Sequence, residues 1–226
     1  YASARLFLAF ETLNNQHQAH APYRPYNMTI ILDLGGVLMQ HNMPECIARF
    51  CDILGEEGMT TVLGMKPNAE GVPNSLMDQF ECGNVTAQQF INTILQHATP
   101  GTTQQDVINA WNAMHAGIPI ERWEQVHTWN QAGHRLLLLS NNNELHWEDI
   151  HRHYDFSIFD KLFSSHLLHC NKPNREIYEQ VQHYLTDNQY EPPYYFVDDL
   201  AANRKMGEQF GWHTYPTLAD LAAILK

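Results

Sequence analysis

Positive charge is scarce in this chain. Lysine and arginine together number 13, against 25 aspartate and glutamate residues, so the formal net charge at pH 7 is −12. No run of lysine and arginine is longer than two residues. A protein this acidic repels the phosphate backbone of DNA or RNA unless a strong local basic patch offsets it. We therefore expect no nucleic-acid partner.

Cysteine and long apolar runs are scarce too. Four cysteines occur, at positions 46, 51, 82 and 170, and none has the spacing of a zinc site. In a chain of 226 residues this favours reduced thiols that serve as small apolar side chains. No apolar stretch approaches the ~18 residues that span a bilayer. We therefore expect a cytoplasmic protein with no membrane partner.

Residues 1–27 precede the first strand-like run and begin without methionine. Their apolar piece LFLAF is short, and no lysine-rich region precedes it. The piece AHAP resembles a small-residue cleavage site, so a signal peptide is a second interpretation. The preferred interpretation is a poorly ordered leader or extension, with the folded part starting near Met28.

From Met28 onward, short apolar runs alternate with helical stretches. TIILDL, at 29–34, is rich in branched apolar residues and too short for a helix, which predicts a strand buried on both faces. Four later runs have strand character: HRLLLLS at 134–140, DKLFSS at 160–165, YYFVDD at 194–199 and WHTYP at 212–216. The alternation predicts an α/β fold with a Rossmann-like parallel sheet and helices on both faces.

About a hundred residues separate the first predicted strand from the second. Four stretches of helical period occupy that interval: PECIARFCDIL, SLMDQFECG, TAQQFINTILQH and TQQDVINAWNAMH. In the third, Thr86 with Gln89 predicts a capping box at a helix start. We predict a small helical cap at 41–116, inserted after the first strand, and a core formed by 28–40 and 117–226.

Six polar residues lie at or near the carboxyl ends of the predicted strands: Asp33, Ser140, Asn141, Lys172, Asp198 and Asp199. In an open parallel sheet, ligands bind beyond these strand ends. Clustered carboxylates favour a hard cation such as Mg²⁺. A lysine with a hydroxyl favours an anion such as phosphate. A carboxylate that contacts both can attack phosphorus and form an aspartyl phosphate.

Each residue also has a purely structural interpretation. Taken alone, Asp33 or Ser140 would cap a turn or a helix. Asp198 and Asp199 would be N-cap residues of the following helix. Lys172 would be a solvated surface charge. Only their occurrence together, each at a strand end, favours the catalytic interpretation.

The segments DLGGVL, LLLLSNNN, NKPNREIY and FVDDLAANRKMGEQFG resemble, in this order, the four signature motifs of the haloacid dehalogenase (HAD) superfamily. The resemblance extends over nearly all of the chain from Met28 onward. It is nearest to the phosphatase-like branch with a small helical cap, whose members include sugar-phosphate phosphatases such as glucose-1-phosphate phosphatase. It implies a Mg²⁺-dependent phosphatase that hydrolyses a small phosphorylated metabolite, such as a sugar phosphate, through an aspartyl phosphate.

The resemblance implies roles for the first three motifs. Asp33 would be the nucleophile and a metal ligand, and Gly35 would offer its backbone carbonyl to the metal. Ser140, with Asn141 beside it, would bind the phosphoryl oxygens. Lys172 would neutralise the nucleophile and the phosphate, so that it both binds substrate and assists catalysis.

The fourth motif also implies roles for its residues, and the sequence differs from the family pattern at two positions. Asp199 would be the metal ligand of that motif, and Asp198 a ligand or its neighbour. Gly35 replaces a second aspartate that usually supplies acid–base help, which is worth about a hundred- to ten-thousand-fold. The glucose-1-phosphate phosphatase type also reads D-L-G there, so turnover need not be lost. His169 replaces a glycine that often precedes the lysine by three residues.

Two other functions stay open. The first is a 2-haloacid dehalogenase-type hydrolase in which Asp33 attacks carbon without a metal; Gly35, Asp198 and Asp199 argue against it. The second is a weakly active or inactive HAD-like binding or regulatory protein, for which Gly35 is the positive sign. No feature of the sequence indicates an oligomeric state or names the substrate.

Residues outside the motifs invite two further hypotheses. His41, Asn42 and Met43 follow the nucleophile loop, and we hypothesise that they line the pocket. Asn203 follows the fourth-motif acids and is interpreted as structural, bonding backbone groups near the site.

Overall fold

A computed structural model of the chain describes residues 28–64 and 74–225. The expected leader at 1–27 lies outside these residues, so that expectation stays a prediction. Within the described segments, no helix is long and apolar enough to cross a membrane. All four cysteines are described and free, as their spacing predicts.

Seven strands occur in the described part of the chain. They are β1 (Thr29–Leu32), β2 (Gln40–His41), β3 (His115–Gly117), β4 (Arg135–Ser140), β5 (Lys161–Ser164), β6 (Tyr194–Val197) and β7 (His213–Tyr215). Five of them form one parallel sheet in the order β5-β4-β1-β6-β7. Each of the five lies inside a run that the sequence predicts as a strand. The first strand, β1, is in the middle of the sheet.

Ten α-helices complete the described segments. They are α1 (Met43–Gly58), α2 (Leu76–Glu81), α3 (Ala87–Leu95), α4 (Gln104–Asn112), α5 (Ile120–Gln131), α6 (Glu144–His153), α7 (Ser165–Leu168), α8 (Arg175–Asp187), α9 (Ala201–Gln209) and α10 (Leu218–Ile224). A short π-helical turn, Met59–Leu63, follows α1. Helix α3 begins with the predicted capping box, in which Thr86 and Gln89 bond each other's backbone N–H groups.

Alternate side chains of the sheet enter two hydrophobic clusters, one on each face. Ile30 and Leu32 of β1 pack with side chains of α5, α6 and α10. Ile31 packs with side chains of α8 and α9 on the other face. Strands buried on both faces in this way read as continuous apolar runs. The predicted fold class, a Rossmann-like parallel sheet with helices on both faces, is confirmed.

Helices α1–α4, the insert helices, lie between β1 and β4 in the chain. They build a third cluster around aromatic side chains: Phe50, Phe80, Phe90 and Trp111. Strands β2 and β3 flank these helices and pair antiparallel, with His41 opposite His115. The boundaries 41–116 for a cap stay a prediction, although the insert helices supply most of a separate hydrophobic cluster, which Leu145 of α6 joins.

The insert helices are joined to the core by a buried polar network around Trp111. Its indole Nε1 donates to Asn143 Oδ1 at 2.9 Å, and its ring stacks on His146 with centroids 5.0 Å apart. His146 Nε2 lies 2.9 Å from the Trp111 carbonyl and must donate to it, because a carbonyl only accepts. Burial lowers the pKa of His146 well below its usual value, so Nδ1 is free to accept from the Asn143 amide.

We predict that Trp111→Phe destabilises the protein by about 1–3 kcal/mol, because it removes a buried donor and leaves part of the Asn143 amide without its partner. Trp123→Phe is the matched control. Trp123 is half-buried, and its indole N–H has no hydrogen-bond partner among the described residues. Urea unfolding of both variants measures the difference. An equal loss for both would show that the Trp111 hydrogen bond contributes nothing.

Candidate active site

Asp33 extends β1 at the carboxyl edge of the sheet. Its backbone N–H donates to the Val197 carbonyl of β6 at 2.9 Å, which fixes the residue between neighbouring strand ends. The side chain is buried, and its Oδ1 accepts from the Leu34 N–H at 2.6 Å and lies 3.0 Å from Lys172 Nζ. The second oxygen, Oδ2, accepts no hydrogen bond from the residues that the structure describes. One carboxylate oxygen is therefore held and the other is available.

Lys172 lies under the site rather than on the surface, since its side chain is 1% exposed. Besides Asp33, its Nζ contacts Asp198 Oδ2 at 2.6 Å and donates to the Leu139 carbonyl at 2.8 Å. An ammonium has three N–H donors, and these three acceptors use all of them. The surface-charge interpretation of Lys172 is therefore wrong.

Ser140 is the last residue of β4, and Asn141 follows it at the same edge of the sheet. The Asn141 amide bonds the backbone of Lys172 twice, accepting from its N–H at 2.7 Å and donating to its carbonyl at 2.9 Å. Ser140 is 2% exposed, and its hydroxyl donates to the Asn141 carbonyl at 3.2 Å. Asn141 thus holds the lysine backbone in place. The binding of phosphoryl oxygens by Ser140 and Asn141 stays a prediction.

Asp198 is fully buried at the end of β6. Its carboxylate accepts from the Leu200 N–H at 2.9 Å and from the Asn203 amide at 3.0 Å, in addition to Lys172. Asn203 therefore bonds a site carboxylate, not the backbone, with its side chain. Arg204 donates to the Asp198 and Asp199 carbonyls, each at 2.8 Å. No pattern in the sequence predicts this contact of Arg204.

Asp33, Asp198 and Asp199 each place one carboxylate oxygen within 4.8 Å of the other two. No other group of His, Cys, Asp or Glu in the described segments has this arrangement. When all three are ionised, a single ammonium leaves an excess of negative charge. An all-oxygen donor set with such an excess fits a hard divalent cation such as Mg²⁺. A role for the Gly35 carbonyl stays a prediction.

The charges of the site shift one another's pKa values. Burial raises the pKa of Asp33 to about 7, while the Lys172 ammonium lowers it in part and the Asp198 carboxylate raises it. Burial alone would lower the pKa of Lys172, but Asp33 and Asp198 raise it above its usual value. Lys172 therefore stays charged beneath the site. A cation among the carboxylates would favour the ionised form of Asp33.

The loop after Asp33 is fixed from two sides. Gly36 has φ +74°, and a Cβ at this position would lie 2.3 Å from an Asp199 carboxylate oxygen. Only glycine satisfies both the left-handed backbone and this close approach. On the other side, Arg122 of α5 donates to the carbonyls of Gly36, Val37 and Leu38, at 3.3, 2.8 and 3.4 Å. No motif in the sequence singles out Arg122.

The His41 imidazole lies where the side chain of a larger residue at position 35 would be. The φ of Gly35 lies outside the left-handed region, so its backbone is open to any residue. A Cβ there would lie 2.3 Å from His41 Nε2. Neighbouring protein displaces part of the water around His41 and lowers its pKa, which Asp199 opposes. The hypothesis that His41 lies at the site agrees with this geometry.

The two residues after His41 turn towards the insert helices. Asn42 is the N-cap of α1 and accepts from the Glu45 N–H with its side chain. Met43 begins that helix and packs against the insert cluster. Their contacts are those of a helix start, which leaves His41 as the polar group beside Gly35.

His169 is the second position at which the sequence differs from the family pattern. It ends α7 with φ 56°, in the left-handed region that favours glycine. Its Nδ1 lies 3.3 Å from the Cys82 carbonyl at the end of α2. The backbone conformation that would suit glycine is thus retained with a histidine.

No protein-family model matches the sequence. Among solved structures, the chain is similar to a predicted HAD-like family hydrolase from Porphyromonas gingivalis, with 25% identity, 88% of this chain and 98% of that chain covered, and a TM-score of 0.73. A HAD family enzyme from Bacteroides thetaiotaomicron, in complex with magnesium and inorganic phosphate, is 24% identical over 83% of this chain and 92% of its own, with a TM-score of 0.71. An L-2-haloacid dehalogenase is 14% identical over 84% of this chain and 85% of its own, with a TM-score of 0.55. The fold is that of the HAD-family hydrolases.

We predict that Lys172→Met lowers the free energy of unfolding by about 3–5 kcal/mol, because it leaves Asp33 and Asp198 as buried carboxylates without their counter-charge. Lys205→Met is the matched control, since Lys205 is exposed on α9. Urea unfolding without added metal compares the two. A Lys172 variant as stable as the Lys205 variant would show that the buried ion pairs are not needed.

Proposed function

We propose that this chain is a HAD-family hydrolase that releases phosphate from a small phosphate monoester with the help of Mg²⁺. The observation that supports this most is the placement of Lys172. Its ammonium contacts Asp33 and Asp198 together, and Asp199 completes the set of carboxylates. A candidate cation site and a buried positive charge therefore adjoin one carboxylate with a free oxygen.

The proposed reaction has two steps at Asp33. In the first, a carboxylate oxygen bonds to phosphorus while the bond from phosphorus to the leaving oxygen breaks, and the leaving oxygen takes a proton from solvent. In the second, water attacks the phosphorus of the aspartyl phosphate, which releases inorganic phosphate and restores the carboxylate. Lys172 holds Asp33 Oδ1 and offsets negative charge as it moves to the phosphoryl oxygens. Ser140 and Asn141 are the proposed hydroxyl and amide partners of those oxygens.

Mg²⁺ held by Asp33, Asp198 and Asp199, with the Gly35 carbonyl, would supply positive charge for the phosphate. These carboxylates would otherwise repel a phosphate dianion. Asp198 is fixed by Lys172, Leu200 and Asn203, and Asp199 is exposed towards the open side. Asp198 is thus held by neighbouring groups, while Asp199 stays accessible to solvent.

The proposed substrate is a sugar phosphate or a similar phosphorylated metabolite. The resemblance of DLGGVL to the glucose-1-phosphate phosphatase type supports this class. The cytoplasmic location and the lack of nucleic-acid and membrane partners stay predictions. A panel of phosphate esters, assayed for released phosphate, is the experiment that tests the function and orders the substrates.

We predict that turnover of the best ester requires Mg²⁺. Excess chelator should abolish phosphate release, because the uncompensated carboxylates repel the substrate, and added Mg²⁺ should restore it. Halide release from 2-haloacids that is indifferent to chelator would instead identify the dehalogenase-type hydrolase. The absence of any turnover, with phosphate esters still binding, would favour the binding or regulatory protein.

We predict that Asp33→Asn abolishes phosphate release, because the amide retains the shape of the side chain but loses the attacking oxygen and the charge that binds metal. Asp187→Asn, at the exposed end of α8, is the matched control and should keep full activity. Circular dichroism confirms that both variants are folded. Normal turnover in the Asp33→Asn variant would refute the proposed nucleophile.

A further inference from the structure

His41 takes up the space that a side chain at position 35 would need. Its Nε2 lies 2.3 Å from the place of a Cβ on Gly35, closer than any side chain tolerates. Because the backbone of Gly35 is not left-handed, this imidazole is the group that a larger residue at position 35 would have to displace. The observed position of the His41 imidazole therefore depends on the absence of a side chain at position 35.

The intervening turn brings the two positions together. The Leu38 and Met39 N–H groups both donate to the Leu34 carbonyl, at 2.9 and 2.7 Å, and the Gly36 N–H donates back to the Met39 carbonyl at 2.9 Å. The chain thus folds over itself just after the nucleophile, and β2 follows at once. His41 lies on that strand, above the loop.

His41 is held in place by the elements behind it. Its backbone pairs with His115 of β3, and the two rings meet edge to face with centroids 6.4 Å apart. The next residue, Asn42, donates its N–H to the Met114 carbonyl at 2.7 Å. The backbone of His41 is thus fixed by its neighbours, which keeps its imidazole close to Gly35.

The open side of the site is the side on which His41 lies. Asp33, Lys172 and Asp198 are buried, whereas Asp199, Gly36 and His41 are exposed. A phosphoryl group bonded to Asp33 must therefore project the rest of its ester outward, to the side on which these three exposed residues lie. Of the three, Asp199 belongs to the proposed cation site, and Gly36 has no side chain.

We infer that His41 contacts the leaving group of the substrate and selects polar, hydroxylated leaving groups over apolar ones. This assignment rests on the proposed phosphatase function. A neutral imidazole has one N–H donor and one acceptor, which suits the vicinal hydroxyl groups of a sugar or polyol. An aryl leaving group offers no such hydroxyls and gains nothing from this hydrogen bond.

The first test is a double-mutant cycle read as melting temperature, which needs no substrate. Gly35→Ala should lower the melting temperature in the unmodified background, because its methyl group meets the imidazole. The same substitution should cost little or nothing when it is combined with His41→Ala. An equal fall in both backgrounds would overturn the contact between positions 35 and 41.

The second test compares ester classes in His41→Ala, with kcat/KM as the readout. We expect about a tenfold loss for a sugar phosphate, the size of one hydrogen bond, and less for 4-nitrophenyl phosphate. Gln40→Ala, the exposed neighbour on β2, is the matched control and should leave both values unchanged. Equal losses for the two esters, or no loss for either, would overturn the selectivity.

Failure of the proposed function and failure of the His41 assignment give different results. An unmodified protein that releases phosphate from no ester overturns the proposed function, and this assignment with it. Normal phosphate release in the unmodified protein, with no preference altered in His41→Ala, overturns the assignment alone.

Discussion

The Lys172 ammonium lies in a buried position between two carboxylates, 3.0 Å from Asp33 and 2.6 Å from Asp198. A buried charge is costly unless it is paired and fully hydrogen-bonded, and here three acceptors satisfy its three donors. The pairing is also reciprocal, because the same ammonium offsets the repulsion between the two acids. Without this ammonium, the carboxylates at the ends of β1 and β6 would lose the buried counter-charge that they share.

The remaining contacts of the site extend from this ion pair. Asn141, at the end of β4, holds the lysine backbone through two hydrogen bonds. Asn203 and the Leu200 N–H bind the Asp198 carboxylate from the following helix. Three neighbouring strands of the sheet are thereby connected at their carboxyl ends. The contacts at these strand ends thus fix Asp33, Lys172 and Asp198 relative to one another.

The exposed groups differ from these buried residues in how they are held. Gly36 lets Asp199 approach the loop after Asp33, and Arg122 supports the same loop from α5. His41 lies beside Gly35 on β2. This strand pairs with β3, which follows the last insert helix. The side of the site that faces solvent is therefore built by residues from the loop after Asp33, from the end of β6 and from β2.

Local patterns in the sequence determined the elements. Short runs of strand character predicted all five strands of the sheet, and Thr86 with Gln89 predicted a helix start, because these signals depend on neighbours within a few residues. The polar residues at the strand ends predicted that Asp33, Asp198 and Asp199 would meet, since parallel strands place their carboxyl ends at one edge.

Only the tertiary structure decided the order of the strands, the burial of Lys172 and the contact of His41 with Gly35. These depend on which distant segments pack together, and no pattern within one segment encodes that. Lysine by itself is a surface residue, and it is buried here only because Asp33 and Asp198, each at least 26 residues away in the chain, supply its counter-charges. The glycine at position 35 appeared in the sequence as the loss of an acid. In three dimensions it is the space that the His41 imidazole fills.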